Sequence, residues 1–409
     1  MKKTLIKQSW WQMTSIQIGG AICLPILMVG QELGKTYGFA KTVGAVLIGN
    51  MLLFLLGLAK AKMSFENKDT TIKNASRYFG QYGTFLLAGT MIMSLIGWFA
   101  IQLNLIALSV QTSLSLLFDG MPVNIEFLNI ILGTIITIAA LRGISALEKL
   151  ADLSVPLLIA TIGYVLYRTY INATISVFEI PVLNNSFRGI SLVLAATIMA
   201  VIDMPTYYRF SRSKRDSFLS IFILFVLAIP IIEITGAYIG LHNPGNTLIE
   251  TLTAGGGFLY QMGMLLFLVL AGWTTNNANI YSAVVTLEKI APNISHIGRT
   301  LLLGTIGTML SCFDLLNNLE PVLNGMGILV SSMGAVIATQ YILNRFIPQM
   351  RMSSLLNILA WICGTAYGFL GFFGLHTLTG FELIDSFLAT SAVSTLLTFG
   401  NYFTVREKE

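Results

Sequence analysis

The chain has 409 residues, of which 55% are hydrophobic and only 11% charged, with a formal net charge of +5. A soluble domain carries roughly 25% charged residues, so this composition excludes an ordinary water-soluble protein and indicates an integral membrane protein. Three cysteines, Cys23, Cys312 and Cys363, are too scattered for a disulfide framework or a metal-ligand pattern, and so are the three histidines.

The start, "MKKTLIK", is basic like a signal peptide, but the apolar stretch after it is long and lacks a clear small-residue cleavage site. It reads as a retained first span. A bilayer-crossing helix needs about 20 mainly apolar residues. Twelve such segments are expected, near 12–34, 39–61, 83–112, 127–145, 150–170, 188–210, 217–241, 257–287, 299–316, 320–344, 353–374 and 381–403. Trp10 and Trp11 fall where the first span meets the interface and read as belt residues. With twelve spans, 20 of the 24 lysines and arginines lie on the N-terminal side; only Lys35, Lys41, Arg168 and Arg188 lie opposite. The positive-inside rule makes both termini cytoplasmic. The basic run "RFSRSKRD" is an orientation signal, so no nucleic-acid partner is expected. The expected location is the inner or plasma membrane, with membrane lipid as the surrounding partner.

Span 1 reads "MTSIQIGGAICLPILMVG", with Gly19-Gly20 and Pro25 bracketing its middle. Span 6 reads "VLAATIMAVIDMPTYYRF", with Asp203 and Pro205 past its middle. Two interrupted helices at matching places in two five-span groups are the mark of inverted-repeat transporters. Unwound backbone survives at that depth only where it is buried in protein or lines a cavity. Spans 1–4 (12–149), span 5 (150–170), the inverted copy (188–344) and peripheral spans 11–12 (353–403) make a single membrane transport domain, 1–409. Asp203 reads as an N-cap for a half-helix with Pro205 in its first turn; its alternative is a functional intramembrane carboxylate. Glu233, in "IPIIEITGAY", is a second buried acid that either pairs with a polar group or lines the outer vestibule.

Span 8 holds "AGWTTNNANIYS", Ala271 to Ser282, with two threonines and three asparagines among apolar residues. Positions three and four residues on share a helix face, so Thr274 and Thr275 join the Ala271 carbonyl. Threonine hydroxyls and carbonyls form a neutral oxygen cluster suited to a hard cation such as sodium. Asn276 lies next around the helix; its amide suits an uncharged polar ligand. The plain alternative is helix–helix glue, worth roughly 0.6–2 kcal/mol per polar residue.

These residues resemble the nucleobase–cation symport-1 transporters, with the cytosine permease group the most similar, over most of the chain. "GWTTNNANIY" from Gly272 is the most specific match; "GWFAIQLNL" from Gly97, "RGISALEKLADLSVP" from Arg142 and "YYRFSR" from Tyr207 add to it. The resemblance implies an all-α membrane protein with a LeuT-type five-plus-five inverted repeat and broken helices 1 and 6. It implies a sodium site on the carbonyls of Gly19, Ile22 and Ala271 and the hydroxyls of Thr274 and Thr275. It implies base-binding positions at Trp98 for stacking, at Gln102 one turn later, at Cys23 and Asn276, and in span 6 at Thr197 and Met199. An indole face can indeed stack a flat ring. The span-6 exit departs from the family's Asp-Phe-x-Arg pattern, reading Thr206-Tyr207-Tyr208-Arg209, and Ala196-Thr197-Ile198-Met199 lacks the expected aromatic and serine. That puts cytosine itself in doubt as substrate.

The function expected is import of a small neutral nitrogen heterocycle, cytosine or a related base, by symport with sodium or a proton, Asp203 and Glu233 being the candidates for proton coupling. No cofactor beyond the coupling ion and a monomeric state are expected. The rival readings are a proton-coupled amino-acid, amine or vitamin-precursor permease of the same fold, and a non-transporting membrane receptor. No motif for enzyme chemistry is present.

Overall fold

The computed structural model describes residues 7–118, 123–172, 187–313, 315–347 and 352–406. The opening residues 1–6 and the basic residues Lys2, Lys3, Arg351 and Lys408 lie outside them, so the basic start and part of the charge asymmetry are not seen; nor is the side chain of Arg188 or Arg406. The described chain is helical apart from one isolated bridge between Gln8 and Ser211.

The first expected span is two helices, α1 (Trp10–Ala21) and α2 (Leu24–Tyr37), bent by 58°. Ser9 starts α1 with a capping box: its hydroxyl takes the Gln12 N–H while Gln12 takes the Ser9 N–H. Glycine weakens the helix at Gly19-Gly20. Pro25 lacks an N–H and disfavours helical geometry behind it, and Cys23 is extended, with φ −137° and ψ 159°. α3 (Phe39–Asn67) and α4 (Thr71–Leu117) follow. α4 begins earlier than expected because Thr70 caps it, and it bends at Gly80, whose φ of 63° suits a residue without a Cβ.

Next come α5 (Ile125–Ala140) and α6 (Ile144–Ile171), then α7 (Phe187–Ile202) and the short α8 (Met204–Tyr208), which divide the expected sixth span at Asp203. α9 (Lys214–Phe222) passes through a π-helical turn, Ile223–Ala228, into α10 (Ile229–His242). Beyond the small α11 (Leu248–Thr253) lie α12 (Phe258–Ile290), α13 (His296–Leu310), α14 (Leu319–Phe346), α15 (Ser354–Phe372) and α16 (Glu382–Arg406). Among the described residues, nine helices are long and apolar enough to cross a membrane, or ten if the bent α1–α2 pair is one span. α5 and α13, with 16 and 15 residues, fall short of that length.

The bundle has an apolar surface where a soluble protein is polar, around an interior that is itself mainly apolar but holds buried polar groups. Leu55, Ile138, Leu153, Leu266 and Leu396 are exposed, whereas Asn50, Gln102, Asn276 and Ser282 are buried. Exposed leucines suit hydrocarbon, and buried polar groups mark the protein-lined interior. The chain is a multi-pass membrane protein.

One helix pair is packed to backbone contact. Cβ atoms added at Gly30 and Gly34 of α2 would meet the Glu233 and Ala237 carbonyl oxygens of α10 at 2.0 and 2.2 Å. Those added at Gly236 and Gly240 of α10 would meet the Leu27 and Gln31 oxygens of α2, each at 2.1 Å. Small residues four apart on both helices allow this approach. Above the seam, Gln31 Nε2 and Lys35 Nζ both donate to the Asn246 carbonyl, at 3.2 and 2.8 Å. That carbonyl belongs to the segment joining α10 to α11.

Candidate functional site

The break in the first span alters where its backbone hydrogen bonds go. Ile22 N–H still reaches Ile18 O, but Cys23 N–H turns to Ala21 O at 2.8 Å. Gly19 O therefore loses the amide that a continuous helix would give it. The threonines of α12 face this gap. Thr274 Oγ1 lies 2.6 Å from Gly19 O, 3.0 Å from Leu270 O and 3.1 Å from Ala271 O. Thr275 Oγ1 lies 2.9 Å from Ala271 O, 3.2 Å from Gly20 O and 3.4 Å from Gly19 O.

A hydroxyl has one proton to donate, so two protons face several carbonyl oxygens. That excess of lone pairs over protons is what a hard cation relieves, and the all-oxygen donor set fits one. The predicted ligands Gly19, Ala271, Thr274 and Thr275 are thus brought together, and Gly20 joins them. Neither threonine hydroxyl bonds to Ile22, which sits at the end of α1 with φ −73° and ψ 82°. Among the described residues, no group of three or more His, Cys, Asp or Glu could hold a metal ion.

Beside the cluster lies a cavity of about 100 Å³, small against the roughly 300–1,000 Å³ of drug-sized sites. Trp98 of α4, Cys23 at the break, Thr197 and Met199 of α7, and Thr275 of α12 all line it. Trp98 is 7% exposed and offers an aromatic wall. Thr197 has its hydroxyl bonded back to Val193 O at 3.0 Å, so it presents its methyl group and a free lone pair. Gln17, Gly20, Asp203, Tyr207 and Asn279 complete the polar part of the lining.

Gln102 and Asn276 do not line this cavity. Gln102 sits in the seam between α4 and α12, where a Cβ on Gly272 would lie 3.3 Å from its Nε2; Asn276 stands one turn beyond Gly272. The side-chain oxygen and nitrogen of both residues are buried without a hydrogen-bond partner among the described residues. Orphaned polar atoms cost about 1–3 kcal/mol each, which makes this seam receptive to a polar ligand edge or water. Asn279 takes the cavity position on α12. Four residues on from Thr275 it shares that residue's face, whereas Asn276 is turned about 100° away. That periodicity was the signal in the sequence for Asn279; Gln17 and Tyr207 gave none beyond nearness to the two breaks.

Asp203 does not cap α8 in the expected manner. It occupies the residue before α8, but its side chain accepts no backbone N–H. The carboxylate accepts instead from the Thr206 hydroxyl at 2.7 Å and from the Ser282 hydroxyl of α12. Pro205 has no N–H to offer, and hydroxyls from two other directions reach the oxygens first. Tyr207 OH donates to Ala278 O at 2.9 Å, and Arg209 donates to Tyr281 OH at 3.1 Å, so α8 and its exit are tied to α12 along a line. Glu233 is fully buried away from the cavity. It accepts from Asn50 Nδ2 at 2.6 Å, and its other oxygen has no partner among the described residues. Of the two roles expected for it, this is the pairing.

No family model matches the chain. The chain is similar to the cytosine permeases of Escherichia coli strain K12 and of Escherichia coli O157:H7, each 25% identical over 342 residues, covering 81% of this chain and 78% of the relative. Its fold is similar to that of Mhp1, described as a nucleobase-cation-symport-1 family transporter, in a closed conformation with bromovinylhydantoin bound. The TM-score is 0.78 at 15% identity, covering 99% of this chain and 96% of that one. A Na+-coupled sialic acid symporter in a substrate-bound outward-open state has a TM-score of 0.71 at 10% identity, covering 96% of this chain and 89% of that one. These relatives are permeases and transporters, not enzymes. The chain is thus similar in sequence to the cytosine permeases and in fold to a nucleobase–cation symport-1 family transporter.

Proposed function

We propose that this chain is a secondary transporter that carries a small neutral nitrogen heterocycle, cytosine or a related base, into the cell together with sodium. The observation that carries the reading is a shared wall. Gly20 and Thr275 belong both to the oxygen cluster between α1 and α12 and to the lining of the Trp98 cavity. A cation held there fixes the surface against which a flat ring rests on the indole. The substrate in turn fixes the broken segment whose carbonyls hold the cation. Each ligand then raises the affinity for the other by the same factor.

In this reading the chain has twelve spans, with α5 and α13 as short ones, arranged as a five-plus-five inverted repeat. Both termini are cytoplasmic and the protein sits in the inner membrane. Sodium favours the outward-open state because it binds the states unequally. The orphaned amides of Gln102 and Asn276 take a polar edge of the ring once it enters.

Uptake of labelled bases into proteoliposomes tests this. An inward sodium gradient is expected to drive accumulation, with uptake collapsing when potassium replaces sodium. Accumulation driven by a proton gradient without sodium would overturn the sodium assignment, and competition by amino acids but not by bases would overturn the substrate class.

A further inference from the structure

The cavity has a feature that a site for any flat heterocycle does not require. Asp203 is the one acidic residue among its lining residues, the others being neutral, and it is 3% exposed. No described lysine or arginine forms an ion pair with it; the nearby Arg209 bonds to Tyr281. Its hydrogen-bond partners among the described residues are hydroxyls: Thr206 on one oxygen, Ser282 on the other, and Thr71 beside them. A carboxylate has about four acceptor positions, so about one remains. An intramembrane carboxylate without a cation is costly unless its remaining position meets a donor. Tyr207 does not supply one, because its hydroxyl donates to Ala278 O.

We propose that Asp203 is a specificity-determining residue that accepts an N–H group of the substrate, so that this site selects heterocycles bearing an exocyclic amine over their carbonyl counterparts. The inference rests on the proposed function and narrows its substrate class. An amine presents an N–H donor to the open acceptor position. A carbonyl at the same ring position presents lone pairs to lone pairs, with no proton between them. The stacking surface of Trp98 treats the two rings alike, since every flat ring has a π-face. Selection therefore falls to the group at the ring edge, and among the side chains of the lining the carboxylate alone accepts without also donating.

The experiment is equilibrium binding to the full-length protein in nanodiscs at saturating sodium, using the matched pairs cytosine and uracil, and adenine and hypoxanthine. The amine member of each pair is expected to bind at least tenfold more tightly. In Asp203→Asn, whose amide offers a donor as well as an acceptor, that preference is expected to fall to about unity or to reverse. Ser282→Ala is expected to keep it, because the carboxylate remains. N4,N4-dimethylcytosine, which has no amine N–H, supplies a test that needs no variant, and wild-type protein is expected to bind it no better than uracil. A wild-type protein without amine preference, or an Asp203→Asn protein that retains it, overturns the proposal. So does equal affinity for cytosine and its dimethyl derivative. If none of the four bases binds the wild-type protein, the heterocycle reading itself fails. Binding without discrimination leaves that reading standing and removes this inference alone.

Discussion

Replacing Thr275 with valine keeps the branched shape of the side chain and removes one oxygen. That oxygen lies 2.9 Å from Ala271 O and 3.2 Å from Gly20 O, on a residue only 6% exposed. Without a cation the loss is an ordinary buried hydrogen bond, about 1 kcal/mol of stability. With a cation bound, the lost contact is to a charge, worth about 1.5–3 kcal/mol. At 1.4 kcal/mol per tenfold, the sodium concentration for half-maximal binding rises roughly 10- to 100-fold. Because Thr275 also lines the cavity, base affinity at low sodium falls with it, while affinity at saturating sodium recovers most of its value. The assay is base binding titrated with sodium at constant ionic strength, with Thr275→Ser as the control that restores the hydroxyl. A sodium midpoint unchanged in the valine variant, or a serine variant as impaired as the valine one, would refute the oxygen-cluster argument.

Trp98→Ala is expected to weaken base binding by roughly tenfold or more, since aromatic pairing adds about 0.5–1.5 kcal/mol beyond the buried area; Trp98→Phe retains part of it, and equal affinity in titration calorimetry would remove the stacking role. Gly236→Ala places a Cβ 2.1 Å from the Leu27 carbonyl oxygen, and backbone cannot yield as a side-chain tip does. Overpacking of about 1–3 kcal/mol or more should appear as a lower melting temperature in detergent, and an unchanged one would contradict the seam. Outside the spans, Glu250 closes a capping box on Thr247, whose backbone N–H and hydroxyl hold its carboxyl below the usual carboxylate range. Its contribution to α11 is present above the ordinary carboxylate pKa and is lost as pH falls through the lowered value. Amide exchange at Thr247 should therefore accelerate at acid pH in the wild-type protein and be pH-insensitive in Glu250→Gln, beyond the intrinsic dependence of exchange.

The parts of the fold written locally were legible. Gly19-Gly20 and Pro25 break a helix by their own backbone chemistry, so the bend between α1 and α2 needs no distant residue to explain it. The Thr274–Thr275–Ala271 cluster follows from helical periodicity alone. The same periodicity favoured Asn279 over Asn276 for the cavity, because 279, not 276, is one turn from Thr275. What was not legible depends on pairs far apart in sequence. Ser282 lies 79 residues from Asp203, and nothing in "DMPT" announces that a hydroxyl of α12 takes the oxygen that a helix cap would have used. Asn50 lies 183 residues from Glu233. The lengths of α5 and α13 were misjudged because hydropathy marks how apolar a segment is, not where its hydrogen bonding stops.

The glycine seam makes α2 and α10 behave like a key in a keyway. With carbonyl oxygens seated where side chains would be, neither helix can slide along or roll over the other without first separating. Motion of α2 must then turn α10 with it as a single lever. Gln31 and Lys35 fasten the Asn246 carbonyl to the same lever, so the tilt is transmitted to the segment leading into α11. A displacement of a fraction of an ångström at the oxygen cluster would thus be read at Asn246 as an arc whose length is set by its reach from the bend at Cys23.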